Sequence, residues 1–212
     1  MKKLLIAIDG PSSSGKSTIA KNLSNFYQIP FLNTGSLYRA LAFLAYKNNL
    51  SEDKIDKIAN LADQIHKLDL DSPEIHNEEI GKFASKIAQK PIIRKALFDL
   101  QINFKENSLN QYNGAILEGR DIGTIICPEA DFKFFIVVDV QIRAKRRFEQ
   151  LQKLNPTIEY ENILKDLQKR DYDDKNRKIA PLIKADNAVE IDNSLDPKII
   201  LAQITKIIND QN

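Results

Sequence analysis

The octapeptide Gly10-Pro11-Ser12-Ser13-Ser14-Gly15-Lys16-Ser17 has the residue types and spacing of a phosphate-binding loop, G-x-x-x-x-G-K-[ST]. Each type answers a physical need. Glycines let successive backbone N–H groups turn inward around phosphate oxygens, and a helix starting behind the loop adds partial positive charge at its N-terminus. Lys16 is placed to reach the β- and γ-phosphates, the Ser17 hydroxyl to ligate Mg²⁺, and the stretch through Thr18 to hold a nucleoside triphosphate. The bland alternative is a serine-rich turn that only caps a helix. A triphosphate site by itself leaves kinase, GTPase switch, motor and transporter open. The N-K-x-D tetrapeptide that a GTPase would use on guanine is absent from the sequence.

A second set of residues suits the other half of a phosphoryl transfer. Such a reaction leaves the protein little covalent chemistry, so position and positive charge must do most of the catalysis. A kinase whose acceptor is itself a nucleotide has to neutralise donor and acceptor phosphates together, which calls for several arginines. They stand here at segment ends: Arg39 after Thr34-Gly35, Arg120 after the third apolar run, and Arg170 and Arg177 around an acidic stretch. Arg143, Arg146 and Arg147 open a helix before the turn at Asn155-Pro156 and read either as triphosphate-site or lid residues or as solvated surface, with Arg146 the weakest candidate.

The elements that must position these groups follow from periodicity. Residues 4–8 form a continuous apolar run followed by turn residues, as in a parallel strand covered on both faces. Residues 16–27 carry Ile19, Ala20, Leu23 and Phe26 at helical spacing, and 31–32 form a short strand. Helices are expected over 36–47, 51–68, 77–89 and 91–106, the last opened by Pro91 in its first turn. Runs at 115–117 and 132–138 suit interior strands. Helices follow over 141–154 and 158–175, then a strand at 189–191 and a closing helix at 197–208. Asp139 reads as the N-cap of the 141–154 helix. Strands alternating with helices predict an α/β fold: a P-loop doubly wound parallel sheet of about five strands, flanked by helices. Residues 1–212 read as one such domain with a small, mostly helical insert, since the stretch 51–90 lacks a strong strand.

Composition narrows the setting. The 31 basic and 29 acidic residues nearly cancel, so no global field argues for a nucleic-acid or membrane partner. Cys127 is the only cysteine and reads as a small buried apolar residue, giving no support to an oxidising compartment. The apolar run after Met1-Lys2-Lys3 is too short for a signal peptide and is interrupted by Asp9-Gly10, so a cytoplasmic protein is expected, with monomer as the default state.

Five segments together carry a resemblance. Ile8-Asp9-Gly10-Pro11-Ser12, Thr34-Gly35-Ser36-Leu37-Tyr38-Arg39, Glu118-Gly119-Arg120-Asp121-Ile122-Gly123-Thr124, Arg170-Asp171-Tyr172-Asp173-Asp174-Lys175-Asn176-Arg177 and Ala180-Pro181-Leu182 stand in family order. Over nearly its whole length the chain resembles the bacterial cytidylate kinases (CMP/dCMP kinases), within the nucleoside monophosphate kinases. That resemblance implies transfer of the γ-phosphoryl group of MgATP to CMP and dCMP, with ATP, CMP and dCMP as its small-molecule partners. It places Arg39, Arg120 and Arg177 around the acceptor phosphate, where guanidinium forks fit the oxygens.

Asp121, Ser85 and Arg94 match positions used on cytosine, whose N4 amino group a carboxylate accepts while it repels the uracil oxygen. Asp174 is implied to accept from ribose hydroxyls, with Arg170 holding it or touching phosphates. Thr34, Gly35 and Tyr38 line the acceptor pocket, and Glu118 orients Mg²⁺ through water. Lys16, Arg120, Arg170 and Arg177 are the implied catalytic charges, and Arg143 and Arg147 join the 10–18 stretch on ATP. The monophosphate-binding insert is expected at 51–93 and a short lid at 148–160. The chain departs from the family between Arg39 and Ser85, where the insert is shorter and Ile75-His76 replaces an Ile-Arg pair. His66 and His76 lie in that insert outside every motif and read as solvated.

Overall fold

The first apolar run becomes β1 (Leu4–Asp9), the central strand of a five-stranded sheet of order β2-β3-β1-β4-β5 in the computed structural model, which describes residues 3–153 and 155–210. β1 pairs in parallel with β3 (Gly114–Gly119) on one side and β4 (Phe132–Val137) on the other, and β4 pairs in parallel with β5 (Val189–Asp192). β3 is buried at every residue, and β1 at every one but its first, so neither strand alternates in sequence. β4 does alternate, with Phe132, Phe134 and Ile136 inward. The chain adds strands on the β3 side of β1 before crossing to β4, so the winding reverses at β1. In open α/β sheets, ligands bind at the carboxyl ends of strands at such a switch point.

Contacts divide the chain into two units, Met1–Phe31 with Ser108–Asn212, and Leu32–Asn107. In the first, α1 (Lys16–Tyr27) contributes Ile19, Ala20 and Leu23 to a core shared with Ile6, Ile8, Ile116 and Phe134 of the sheet. Ile200, Ile204 and Ile208 of α8 (Pro197–Asp210) belong to the same core. α6 (Val140–Gln152) and α7 (Tyr160–Asn176) pack through Ala144, Ile163 and Leu167, with Phe148 edge-on to Tyr160. Leu154, expected as the last residue of the first of these helices and part of the 148–160 lid, lies outside the described residues, as do Met1 and Lys2.

Phe31 opens the edge strand β2 (Phe31–Asn33), which leads into the second unit. There α2 (Thr34–Lys47) packs against α3 (Ile55–Ala59), a 3-10 segment (Ala62–Lys67) and α4 (Glu78–Ile87). α5 (Pro91–Tyr112) then returns the chain to the first unit. The insert is helical, as the sequence suggests, but 51–68 is not one helix. Leu61 N–H donates to Ile58 and Gln64 N–H to Leu61, three-residue spacings that tighten the chain between two short pieces. Apolar spacing survives the change, because Ile58, Ala59, Ala62 and Ile65 are all buried.

Two further boundaries differ from the sequence reading. α2 starts at Thr34, since the Asn33 side chain accepts the Ser36 N–H as its cap, and α5 runs six residues beyond 106. Ile122–Ile126 forms a single π-helical turn that no periodicity announced. Among the described residues no helix is long and apolar enough to cross a membrane.

Candidate active site

The glycine loop lies between β1 and α1 and is held from outside itself. Gly10 has φ +153°, and a Cβ there would stand 2.5 Å from the Ile136 carbonyl oxygen. Gly15 has φ +83°, and a Cβ there would collide with the Asn193 amide. Only glycine meets both demands. The buried Asn193, just past β5, donates from Nδ2 to the Ser14 carbonyl at 2.7 Å. Arg143 on α6 donates to the Ser12 carbonyl at 3.0 Å and the Val138 carbonyl at 3.0 Å, and its fork engages Asp171 on α7 at 3.1 and 2.5 Å. Arg146 donates to the carbonyls of Asn193 and Ser194. Arg147 is half-buried on the same helix, and Thr18 is exposed on the first turn of α1.

Lys16 is buried, and its Nζ donates to the Pro11 carbonyl at 2.7 Å and approaches Ser14 Oγ at 3.4 Å. Burial first, and the charge of Arg120 second, pull its ammonium down to about 7, against the attraction of Glu118, Asp9 and Asp174. A triphosphate laid against Lys16 reverses that balance. Nucleotide binding at about pH 8 is therefore expected to take up protons, as the lysine regains its charge. Calorimetric titration in buffers of different ionisation enthalpy measures the uptake; heats independent of buffer would contradict this account of Lys16.

Ser17 Oγ donates to Glu118 Oε1 at 2.5 Å, joining the end of the loop to the end of β3. A hydroxyl and a carboxylate are hard oxygen donors, and together they fit an ion such as Mg²⁺ that keeps most of its waters. Asp9, at the end of β1, is also buried, and its oxygens accept the N–H groups of Ile122 at 2.8 Å and Gly123 at 2.7 Å.

Beyond β3 the charges form one cluster. Arg120 Nε donates to Asp174 Oδ2 at 2.8 Å. Arg177 places Nη1 3.7 Å from Asp174 Oδ1 and Nη2 3.6 Å from Asp121 Oδ1, while its Nε donates to the Ala180 carbonyl. Burial works against the Asp174 carboxylate, but Arg120, then Arg170 and Arg177, outweigh it and hold the group below the usual carboxylate range. Arg120 is also penalised by burial, and Asp174, Glu118 and Asp9 more than compensate. Asp121 precedes the π-helical turn yet makes no capping bond with its own side chain. It faces Arg177 instead.

The remaining candidates lie in the second unit. Arg94 stacks over the Tyr38 ring at 5.9 Å. Arg39 Nη1 donates to the carbonyls of Ile75 and Asn77 at 3.1 and 3.0 Å, and Ser85 is half-buried on α4. Thr34 and Gly35 begin α2. His66 is exposed, but His76 is half-buried and bonds through Nε2 to the Leu70 carbonyl, tying the turn before α4. It is not the solvated residue that the sequence suggests.

Three residues that shape the site had no role in the sequence reading: Asp9, Asp171 and Asn193. Asp9 carried a signal as an acid closing a buried strand immediately before the loop glycine, and Asp171 as a member of the 170–177 motif, while Asn193 carried none.

Comparison with known proteins covers almost all of this chain. A family model described as cytidylate kinase matches residues 6–210. The cytidylate kinase of Bartonella tribocorum is 42% identical over 194 residues, covering 92% of this chain and 88% of that one. That of Clostridium tetani is 37% identical over 202 residues (91% and 87%), and that of Mesomycoplasma hyopneumoniae 40% over 219 (98% and 94%). Among solved structures, an uncharacterized protein from Eubacterium ventriosum aligns over 99% of both chains with a TM-score of 0.55 and 18% identity, a likeness of fold.

Proposed function

We infer from the cytidylate kinase family, to which this chain belongs, that it transfers the γ-phosphoryl group of ATP to CMP and dCMP, giving ADP and CDP or dCDP. The observation that carries the reading to particular residues is the cluster of Arg120, Asp121, Asp174 and Arg177, set on the same unit as the glycine loop and within electrostatic reach of Lys16.

The 10–18 stretch holds the triphosphate through inward N–H groups, with Arg143 and Asn193 fixing its carbonyls and Arg147 an additional cation on α6. Ser17 would hold Mg²⁺ directly and Glu118 would hold it through water. Such an ion, when bound, screens the triphosphate and draws charge from the bond that breaks. Lys16 takes the charge that builds on the transferring oxygens. Arg120, Arg177 and Arg39 bind the acceptor phosphate, so that Arg39 exchanges its backbone partners for the nucleotide. Asp174, braced by Arg120 and Arg170, accepts from ribose hydroxyls. Asp121 accepts from the cytosine N4 amino group, with Ser85 and Arg94 on the same base and Thr34, Gly35 and Tyr38 lining its pocket.

Residues 51–93 serve as the monophosphate-binding insert and 148–160 as the lid, which together exclude water from the transfer. The partners are small nucleotides, and the enzyme is assigned to the cytoplasm as a monomer. An assay of ADP release with CMP, dCMP, UMP, AMP and dTMP tests the reading. CMP and dCMP are expected to stimulate most. No stimulation by any monophosphate would end the kinase assignment, and stimulation by UMP alone would end the cytosine assignment.

A further inference from the structure

The turn that follows Arg120 and Asp121 is capped from a different strand. A residue in the position of Asp121, immediately before a helical turn, ordinarily turns its side chain onto the N–H of the second or third residue of that turn, here Gly123 or Thr124. Here the Gly123 N–H is taken by Asp9 Oδ2 at 2.7 Å, and Asp9 Oδ1 accepts the N–H of Ile122, the first residue of the turn, at 2.8 Å. Asp121 makes no capping bond and stands 3.6 Å from Arg177 instead.

Register makes the arrangement possible. Asp9 is paired with Gly119 across the β1–β3 ladder, so its carboxylate sits beside the point where the chain turns away from β3 toward Arg120 and Asp121. Gly10 follows Asp9 directly, so one residue is joined to the start of the triphosphate loop by a peptide bond and to the acceptor turn by two hydrogen bonds.

We propose that Asp9 is a positioning residue for base selection: by capping the 122–126 turn in place of Asp121, it leaves the Asp121 carboxylate directed at the cytosine amino group. The proposal rests on the CMP kinase reading given above. Burial raises the Asp9 carboxyl to about 6 against the two backbone N–H bonds from Gly123 and Ile122, with Asp121 adding to the rise and Lys16 opposing it, so at neutral pH the ionised group accepts both bonds. The Asn side chain offers only one acceptor oxygen, and its amide N–H₂ would oppose the second backbone donor. Asp121 is then drawn back to cap its own turn.

The test is steady-state kinetics of Asp9→Asn with CMP, UMP and ATP, beside Asp121→Ala and the double variant. Asp9→Asn is expected to raise KM for CMP roughly tenfold, the scale of a lost helix cap. The CMP-to-UMP preference is expected to fall with it, while KM for ATP changes by less than about twofold. Because Asp9 acts through Asp121, adding Asp9→Asn to Asp121→Ala is expected to change the preference little further, where independent residues would multiply. An unchanged preference in Asp9→Asn, multiplicative effects in the double variant, or equal damage to ATP and CMP would each overturn the proposal. If Asp9→Asn does not fold, Asp9→Glu carries the same test, since its longer carboxylate displaces the turn while keeping the charge. Wild-type protein without CMP-dependent ADP release would instead overturn the kinase reading itself.

Discussion

Lys16→Ala is expected to lower kcat for CMP phosphorylation by about 10²–10³-fold, the cost of removing one preorganised charge from a transferring group. Its site is prepared for that work and poorly suited to the lysine alone. The side chain is buried and donates to Pro11 within its own loop, while burial and Arg120 disfavour its charge until an anion arrives. A buried lysine whose pKa is lowered in the fold is a net cost to folding at neutral pH. Thermal unfolding without nucleotide is therefore expected to leave Lys16→Ala as stable as the wild type or more so. A variant that turns over like wild type would remove Lys16 from the mechanism, and one that loses activity only because it unfolds would make it a structural residue.

Arg120→Met is expected to do both kinds of damage. Asp174 is buried and Arg120 is its strongest partner, at 2.8 Å. Breaking such a pair from one side typically costs about 3–5 kcal/mol. Arg177, 3.7 Å from the same carboxylate, remains and brings the expected loss to the lower end of that range. The pH dependence has a definite sign. Asp174 is held below the usual carboxylate range, so its contribution is present above the unfolded-state value and is lost as pH falls through the folded one. Without Arg120 the folded value rises, and acid unfolding is expected to begin at a higher pH than in the wild type. Urea unfolding at several pH values reads both effects, and kcat/KM for CMP is expected to fall at least about 10²-fold through loss of an acceptor-phosphate contact. Wild-type stability together with an unchanged KM for CMP would mean that the Arg120–Asp174 pair neither supports the fold nor binds the acceptor.

What could be read from the sequence was what is locally determined. The loop at 10–17 is legible because phosphate binding dictates its residue types, and α1 ends where its apolar spacing ends, at Tyr27. Asp139 caps α6 by accepting the Gln141 N–H, a bond between neighbours in sequence. Cys127 is fully buried, as a lone small apolar side chain would be. The turn at Ile122–Ile126 escaped because five residues rich in β-branched side chains give no helical signal, and its cap lies more than a hundred residues away in Asp9. Arg143 was legible as a cation near the triphosphate. Its engagement of Ser12, Val138 and Asp171 depends on three separate segments, and no window of sequence contains them together. The motif around Asp171 likewise marked a functional stretch without telling which acid braces an arginine and which, like Asp173 beside Lys169, meets solvent.

The hydrogen bond from Asn193 to Ser14 joins residues 179 positions apart. On the ribosome, the loop is therefore made well before its clamp exists. At about 5–20 residues per second that interval is on the order of 10–40 s. Through the first part of it β1, apolar from Leu4 to Ile8, has neither of its neighbours, since β3 begins only at Gly114 and β4 at Phe132. The nascent chain must keep this strand from aggregating, and it gains a clamped triphosphate loop only once Asn193 has been made. A chain released before Asn193 carries the entire loop sequence and lacks the asparagine that holds the Ser14 carbonyl.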